Sequence, residues 1–382
     1  MRKITSVVFL AAALALSVGN AVAVPYTFTN IADSNGAFNF FGGASLNNSG
    51  TVAFGANGNE VAGIFTGIGG PTTTLYDSSG PFTVADFGTS LNDSGRVAFS
   101  AGDTLDFGKR AIVTGSGGPA TTIADNSGPF EFFVDSPSLN NSGTVAFVAN
   151  QNEDAGIFTG SGGPTTTIAD TNGPIAFFVG SPSLNDRGTV AFLTFLDTGK
   201  QGIFTGSGGP TTTIADTNGP FEFIDSLPSL NNSGTVAFVA QLGIGERGIF
   251  TGSGGPTTTI ADSSGLLNFF GATPSLNNRG TVAFNAFLDT GEDGIFTGPD
   301  LLADEVIGED DMLFGSTVRE LLIFTESLND NGQIAFFYKL ADERFGIARA
   351  DPLVIPAPEP GMLPLLIAGL LGAVLWRKGK ST

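Results

Sequence analysis

Residues 137–182 read PSLNNSGTVAFVANQNEDAGIFTGSGGPTTTIADTNGPIAFFVGSP. Four short runs in this stretch have strand chemistry. Residues 137–139 lead into Asn140-Asn141-Ser142-Gly143, a turn sequence. Residues 144–149 set Val145 and Phe147 on one face and the small Ala146 on the other. Residues 156–159 end in the glycine-rich Gly160-Ser161-Gly162-Gly163, and residues 165–169 are rich in β-branched side chains. Both faces of these runs are apolar or small. That suits a small sheet packed between two others, and it suits a sheet with one wet face less well.

The unit recurs. The pattern S-L-N-x-x-G-x-V-A-F returns seven times with small variations, its first Asn at Asn47, Asn92, Asn140, Asn185, Asn231, Asn277 and Asn329, at spacings of 45, 48, 45, 46, 46 and 52 residues. A period in the forties is the length of a four-stranded propeller blade. The expected fold is therefore all-β: a seven-bladed β-propeller of four-stranded blades. A β-solenoid is the alternative, although its coils are usually shorter. The phase of the ends favours the ring. Residues 26–33 (YTFTNIAD) match the fourth strand with nothing before it, and residues 345–351 (FGIARAD) match the third strand with nothing after it. The ring would close by the N-terminal strand pairing with the C-terminal strands, which also hides sheet edges that template aggregation.

Composition narrows the chemistry. The 382-residue chain has 41% apolar residues and 35 Phe, enough for a folded core, and 55 Gly and 20 Pro, as many tight turns require. It has no Cys and no His, which removes Cys nucleophiles, Ser-His and Cys-His relays, disulfides and the usual zinc sites. The formal net charge of −20 argues against a nucleic-acid partner. Five of the 16 Lys and Arg lie at the ends (Arg2, Lys3, Arg377, Lys378, Lys380).

Those ends read as addresses. Arg2 and Lys3, the apolar run 4–18 and the Ala21-Val22-Ala23 cleavage pattern form a secretory signal peptide, residues 1–23, cut after Ala23. Residues 24–352 are the propeller and 353–357 a linker. Residues 358–382 hold Pro358-Glu359-Pro360, an apolar run 361–376 and a basic tail. The apolar run is a minimal bilayer span with its cations on the cytoplasmic side. The segment resembles the PEP-CTERM sorting signal of Gram-negative bacteria. The resemblance implies transient membrane insertion through 361–376, recognition by an exosortase after signal peptidase has acted, and export to the outer surface or the extracellular matrix, typically where exopolysaccharide is made. A plain N-terminal anchor and a plain tail anchor are the alternatives.

The order of elements looks like that of TolB-type propellers. The repeats are also similar to a family of exported bacterial proteins with tandem NxxGxxAF repeats: Asn140, Gly143, Ala146 and Phe147 match, as do Asn185, Gly188, Ala191 and Phe192. That resemblance implies a fold and a surface location, and no activity.

No catalytic residues and no cofactor are expected. Calcium candidates are Asp170 and Asn172, Asp216 and Asn218, in Asp-x-Asn-Gly turns, but these turns lack the distal bidentate Glu of a helix-loop-helix site. Read as plain turns, the Asp accepts backbone N–H bonds and the Gly takes a positive φ. Asn47, Asn140 and Asn231 begin N-x-S triplets and are read as turn residues rather than glycan acceptors. Between the second and third strands, Glu60, Asp103, Asp106, Glu153, Asp154, Asp197, Glu246, Asp289, Glu292 and Asp293 should gather on one rim. Glu309, Asp310 and Asp311 lie in the divergent segment 299–327 and are the other cation candidates. Trp376, the one Trp, lies outside the propeller. The expected function is a non-enzymatic, structural or adhesive protein of the cell surface, matrix or biofilm, partnered by exopolysaccharide or surface proteins. Alternatives are a lectin-like module and a carboxylate-dependent glycan hydrolase or lyase.

Overall fold

The first strand of the third repeat is longer than its sequence suggests. It runs Phe130–Leu139 and not merely 137–139, followed antiparallel by Val145–Gln151, Asp154–Gly160 and Thr166–Asp170. Pairing skips from Val134↔Val148 to Ser138↔Ala146, so that residues 135–137 bulge opposite Phe147, and the strand continues on both sides of the gap; Phe38–Leu46 breaks at the same place without a proline. In three other repeats the same strand is split into two pieces, such as Phe223–Ile224 and Ser229–Leu230. The computed structural model describes residues 25–58, 62–78, 83–84, 88–102, 110–152, 154–243 and 245–353. The expected signal peptide with Ala21 and Ala23, the expected sorting motif Pro358-Glu359-Pro360 with 361–376, and Glu60, Asp103, Asp106 and Glu153 lie outside the described residues. Among the described residues no helix is long and apolar enough to cross a membrane.

Six such sheets follow in chain order, and a seventh completes the ring. The chain is a seven-bladed β-propeller. The first strand of each blade ends at the central channel, which the seven Leu-Asn pairs from Leu46-Asn47 to Leu328-Asn329 line. The fourth strands are outermost. The last blade is built from both ends of the chain: Tyr26–Asp33 pairs antiparallel with Phe345–Pro352, from Tyr26↔Pro352 to Asp33↔Gly346.

The core is not one mass but seven interfaces between neighbouring blades. In blade three, Val145, Phe147 and Ala149 pack on Ala98 and Ile112 of blade two, while Ala146 and Val148 face Leu184, Val190 and Phe192 of blade four. The Ala-Phe pair of the motif thus serves two interfaces, a small residue for one and a large one for the other. The larger ring is backed by a second: Phe147 stacks on Phe158 (5.9 Å, 29°), and Phe54–Phe65, Phe192–Phe204, Phe238–Phe250 and Phe284–Phe296 repeat the pair at 5.8–6.1 Å. Phe158 curls beneath Gly156, where an added Cβ would sit 2.7 Å from its ring. In blade two the glycine is Ala111, and there the phenylalanine is Val113.

Candidate functional site

The repeated Asn does two jobs. Asn140 Oδ1 accepts the N–H groups of Ser142 (3.1 Å) and Thr144 (2.9 Å), closing its own turn, which Gly143 completes at φ 86°. Its Nδ2 donates to the Asn185 carbonyl of the next blade (3.1 Å). The relay runs on from Asn185 to Asn231, Asn277, Asn329, Asn47, Asn92 and back to Asn140, each step 2.9–3.2 Å, and closes after seven. The motif Ser adds a layer below: Leu139 N–H donates to Ser90 Oγ (2.7 Å), and Leu184, Leu230, Leu276 and Leu328 repeat the bond to the preceding blade's Ser.

The next residue along forms a second closed belt at the channel mouth, Asn48, Asp93, Asn141, Asp186, Asn232, Asn278 and Asp330, in which each backbone N–H donates to the following side chain's Oδ1. Every Asp lies between two Asn, and each Asp Oδ2 accepts from both neighbouring amides, as Asp186 does from Asn141 (3.1 Å) and Asn232 (2.8 Å). An odd ring cannot alternate throughout. The unavoidable like pair is Asn232–Asn278, two neutral amides instead of two carboxylates.

Below these belts the channel is crossed by a segment of blade seven. Thr325 O accepts from Ser229 (3.3 Å), Ile323 O from Thr273 (2.9 Å) and Glu326 O from Leu46 N–H (2.9 Å). Glu326 Oε1 accepts from Ser90 and Ser138, both 3.0 Å. Residues 323–326 thereby bond to blades one, two, three, five and six. Glu326 is partly exposed as a residue, but its carboxyl group is enclosed by protein. Burial pushes its pKa up from 4.5 to about 7, against the bonds from Ser90, Ser138 and the Leu91 backbone, and no other charge contributes. Glu326 borders cavities of about 150 Å³ and about 110 Å³ on its two sides. The sequence carried a signal for it: the residue before Ser-Leu-Asn is Ala44, Thr89, Pro137, Pro182, Pro228 or Pro274 in the other blades, and Glu only here.

The opposite rim holds the acids. Phe132 pairs with Asn150 and Gly156 with Asp170, so the first-strand starts, the connections between second and third strands and the Asp turns share that rim. Asp154, Asp197, Glu246, Asp289, Glu292 and Asp293 all lie on it. Asp170 Oδ1 accepts the Asn172 N–H (3.0 Å) and Asp216 Oδ1 those of Asn218 (2.9 Å) and Gly219 (3.0 Å), as turn residues do. Asp310 binds Arg319 (2.6 Å), Glu309 stands 3.8 Å from the same guanidinium, and Asp311 accepts the Gly308 N–H (2.9 Å). Asp293 is brought beside Glu309. Burial first, then the Glu309 charge, raises its pKa from 3.8 to about 6. Among the described residues no group of three or more carboxylates is arranged to hold a metal ion.

The same rim carries an aromatic series that lies outside the repeated S-L-N-x-x-G-x-V-A-F motif. Phe40, Phe132, Phe177, Phe223 and Phe269 occupy one first-strand position in five blades, each 43–49% exposed. Arg110 of blade two lies over Phe132 (5.0 Å) and Arg247 of blade five over Phe269 (4.6 Å).

Fold and channel define a seven-bladed propeller whose channel is crossed by its own residues 323–326. The chain belongs to a family described as one of unknown function, DUF7453, which matches residues 78–292, more than half of the 382. No curated protein matches it by sequence. Among solved structures it is similar to the β-propeller domain of the trilobed protease from Pyrococcus furiosus (9% identity, TM-score 0.53, covering 84% of this chain and 99% of that one). It is also similar to an oligogalacturonate lyase from Vibrio parahaemolyticus (10%, 0.53, 88% and 98%) and a puromycin-hydrolysing peptidase from Mycobacterium tuberculosis (12%, 0.54, 88% and 57%). At these identities the likeness is one of fold.

Proposed function

We propose that this chain is an exported, non-enzymatic propeller of the bacterial surface or extracellular matrix, and that it associates with exopolysaccharide through its aromatic, acidic rim. The observation that carries the reading is the series Phe40, Phe132, Phe177, Phe223 and Phe269, half-exposed at equivalent points of five blades on the rim that also holds the acidic connections. Aromatic faces meet the C–H faces of sugar rings, and carboxylates accept from their hydroxyls. The address in residues 1–23 and 358–382 supports export. The channel cavities beside Glu326 fall below the 300 Å³ at which ligand pockets usually begin, which favours the rim over the channel as the binding surface. The test is binding of purified residues 24–353 to the producing organism's own exopolysaccharide, with calcium and then with chelator. Saturable binding is expected. It should be unaffected by chelator, because the Asp turns already spend Oδ1 on backbone N–H groups, and weakened in Phe132→Ala and Phe177→Ala. No binding in either condition would sink the reading.

The enzymatic alternative has one specific observation in its favour, the raised carboxyl of Asp293 beside Glu309. Turnover of the polysaccharide that Asp293→Asn abolishes would establish it.

A further inference from the structure

We propose that the cleft between blades seven and one binds a single neutral pyranose unit, with Phe40 as its stacking platform and the Lys339–Glu343 pair as its hydroxyl partners. The inference rests on the matrix-binding reading and supplies its site and sugar class. At three of the other junctions the preceding blade reaches across this rim with a polar side chain: Arg110 over Phe132, Arg247 over Phe269, and Gln201, which bonds both the N–H and the carbonyl of Ile224 (3.0 Å each). At the closure junction the corresponding residue is Phe345. It packs against Phe41 (6.0 Å, edge-on) and Phe337 (6.3 Å). These rings and the half-exposed Phe40 bound a cleft of about 340 Å³, within the range of small-molecule sites. Asn39, Lys339 and Glu343 form its polar lip, with Lys339 Nζ 3.0 Å from Glu343 Oε2.

Glu343 is the unusual residue. Its turn, Leu340 to Arg344, repeats that of Leu196 to Lys200 and Leu288 to Glu292, with the same pair of backbone bonds. In those turns the left-handed position is Gly199 (φ 77°) and Gly291 (φ 95°), whereas here Glu343 takes it at φ 68°. The turn does not need this side chain and is strained by it, and strain retained at a cleft points to use. The ligand class follows from charge and shape. Lys339 and Glu343 cancel, so the lip is neutral on a chain of net charge −20, which repels polyanions, while Lys339 disfavours a cation. An apolar face bordered by paired donors and acceptors matches the C–H face and hydroxyl edge of a neutral sugar.

The test titrates residues 24–353, whose ring closes on itself, with four neutral trisaccharides (cellotriose, maltotriose, laminaritriose and mannotriose) and with trigalacturonate. One neutral trisaccharide is expected to bind at one site per chain, and trigalacturonate to bind more weakly. Phe40→Ala should weaken binding about tenfold, the scale of one lost aromatic contact. Glu343→Gly should weaken it severalfold while raising Tm, a combination that a purely structural role does not produce. Leu302→Ala, at an exposed site elsewhere, should change neither. The proposal is overturned if no neutral trisaccharide binds, if trigalacturonate binds best, or if Phe40→Ala and Glu343→Gly bind like the parent. In that last case, binding of the native exopolysaccharide would leave the matrix reading standing. A neutral trisaccharide that binds where the exopolysaccharide does not would support the cleft and sink the matrix reading.

Discussion

Glu326 places one carboxyl among three hydrogen-bond donors, and none of the ion pairs among the described residues includes it. Its bonds from Ser90, Ser138 and the Leu91 backbone favour the charged form, but burial outweighs them and raises the folded pKa from 4.5 to about 7. A group raised in the folded state binds its proton more tightly there. Its stabilising contribution is complete below pH 4.5 and is lost as pH rises through 7, at most about 3 kcal/mol. Asp293 acts in the same direction, between 3.8 and about 6. The protein is therefore expected to melt at a higher temperature at pH 5 than at pH 8. Glu326→Gln keeps an oxygen for Ser90 and Ser138 and cannot ionise. It should raise Tm at pH 8 and flatten the profile above pH 5. Thermal melts of both proteins across this range check it, and an unchanged profile in the variant would show that the Glu326 carboxyl does not ionise in this window.

Within a blade, the third strand couples two positions through one ring. Gly156 leaves room for Phe158 to fold beneath it, and Gly202, Gly248 and Gly294 stand in the same relation to Phe204, Phe250 and Phe296, with an added Cβ 2.6–3.0 Å from a ring atom. Blade two resolves the same conflict from the other side, with Ala111 above the smaller Val113. Gly156→Ala is thus expected to cost about 1–3 kcal/mol by overpacking. Adding Phe158→Val should recover part of that loss, although Phe158→Val alone is destabilising. Denaturant melts of the two single variants and the double variant measure the coupling, and strictly additive losses would refute it. The repeat made such elements legible. Val145, Ala146 and Phe147 alternate between two apolar surroundings, and a strand between two blades has to be written that way. The extension of the first strand back to Phe130 was not legible, because a bulge of three residues opposite Phe147 interrupts the alternation that the sequence pattern follows.

At the scale of the whole molecule, closure has two parts of different visibility. The complementary phase of YTFTNIAD and FGIARAD announces the pairing of Tyr26–Asp33 with Phe345–Pro352. The Asn relay and the Asn/Asp belt do not show in a linear reading, because a side chain that satisfies its own turn gives no sign that its amide also reaches the next blade. Glu326 shows in the sequence as the one Glu before Ser-Leu-Asn, but its partners do not, since Ser90 and Ser138 are 236 and 188 residues away. The rings and the terminal strand divide the work of closure. The Asn ring fastens the inner radius, where Asn329 donates to the Asn47 carbonyl (2.9 Å), and the terminal strand fastens the outer radius. Ile31, buried in the interface between blades seven and one, ties the two together. Deleting residues 24–33 therefore removes the outer fastening and bares the edge of Phe345–Pro352, while the inner ring remains. The truncated chain is expected to unfold at lower temperature over a broader range and to self-associate as concentration rises, since a bare edge accepts another strand. A synthetic peptide of residues 25–34 should restore the monomer by taking the vacant place. Sedimentation and thermal melts with and without the peptide read both effects. A truncated chain that stays monomeric with an unchanged melt would assign closure to the inner ring alone.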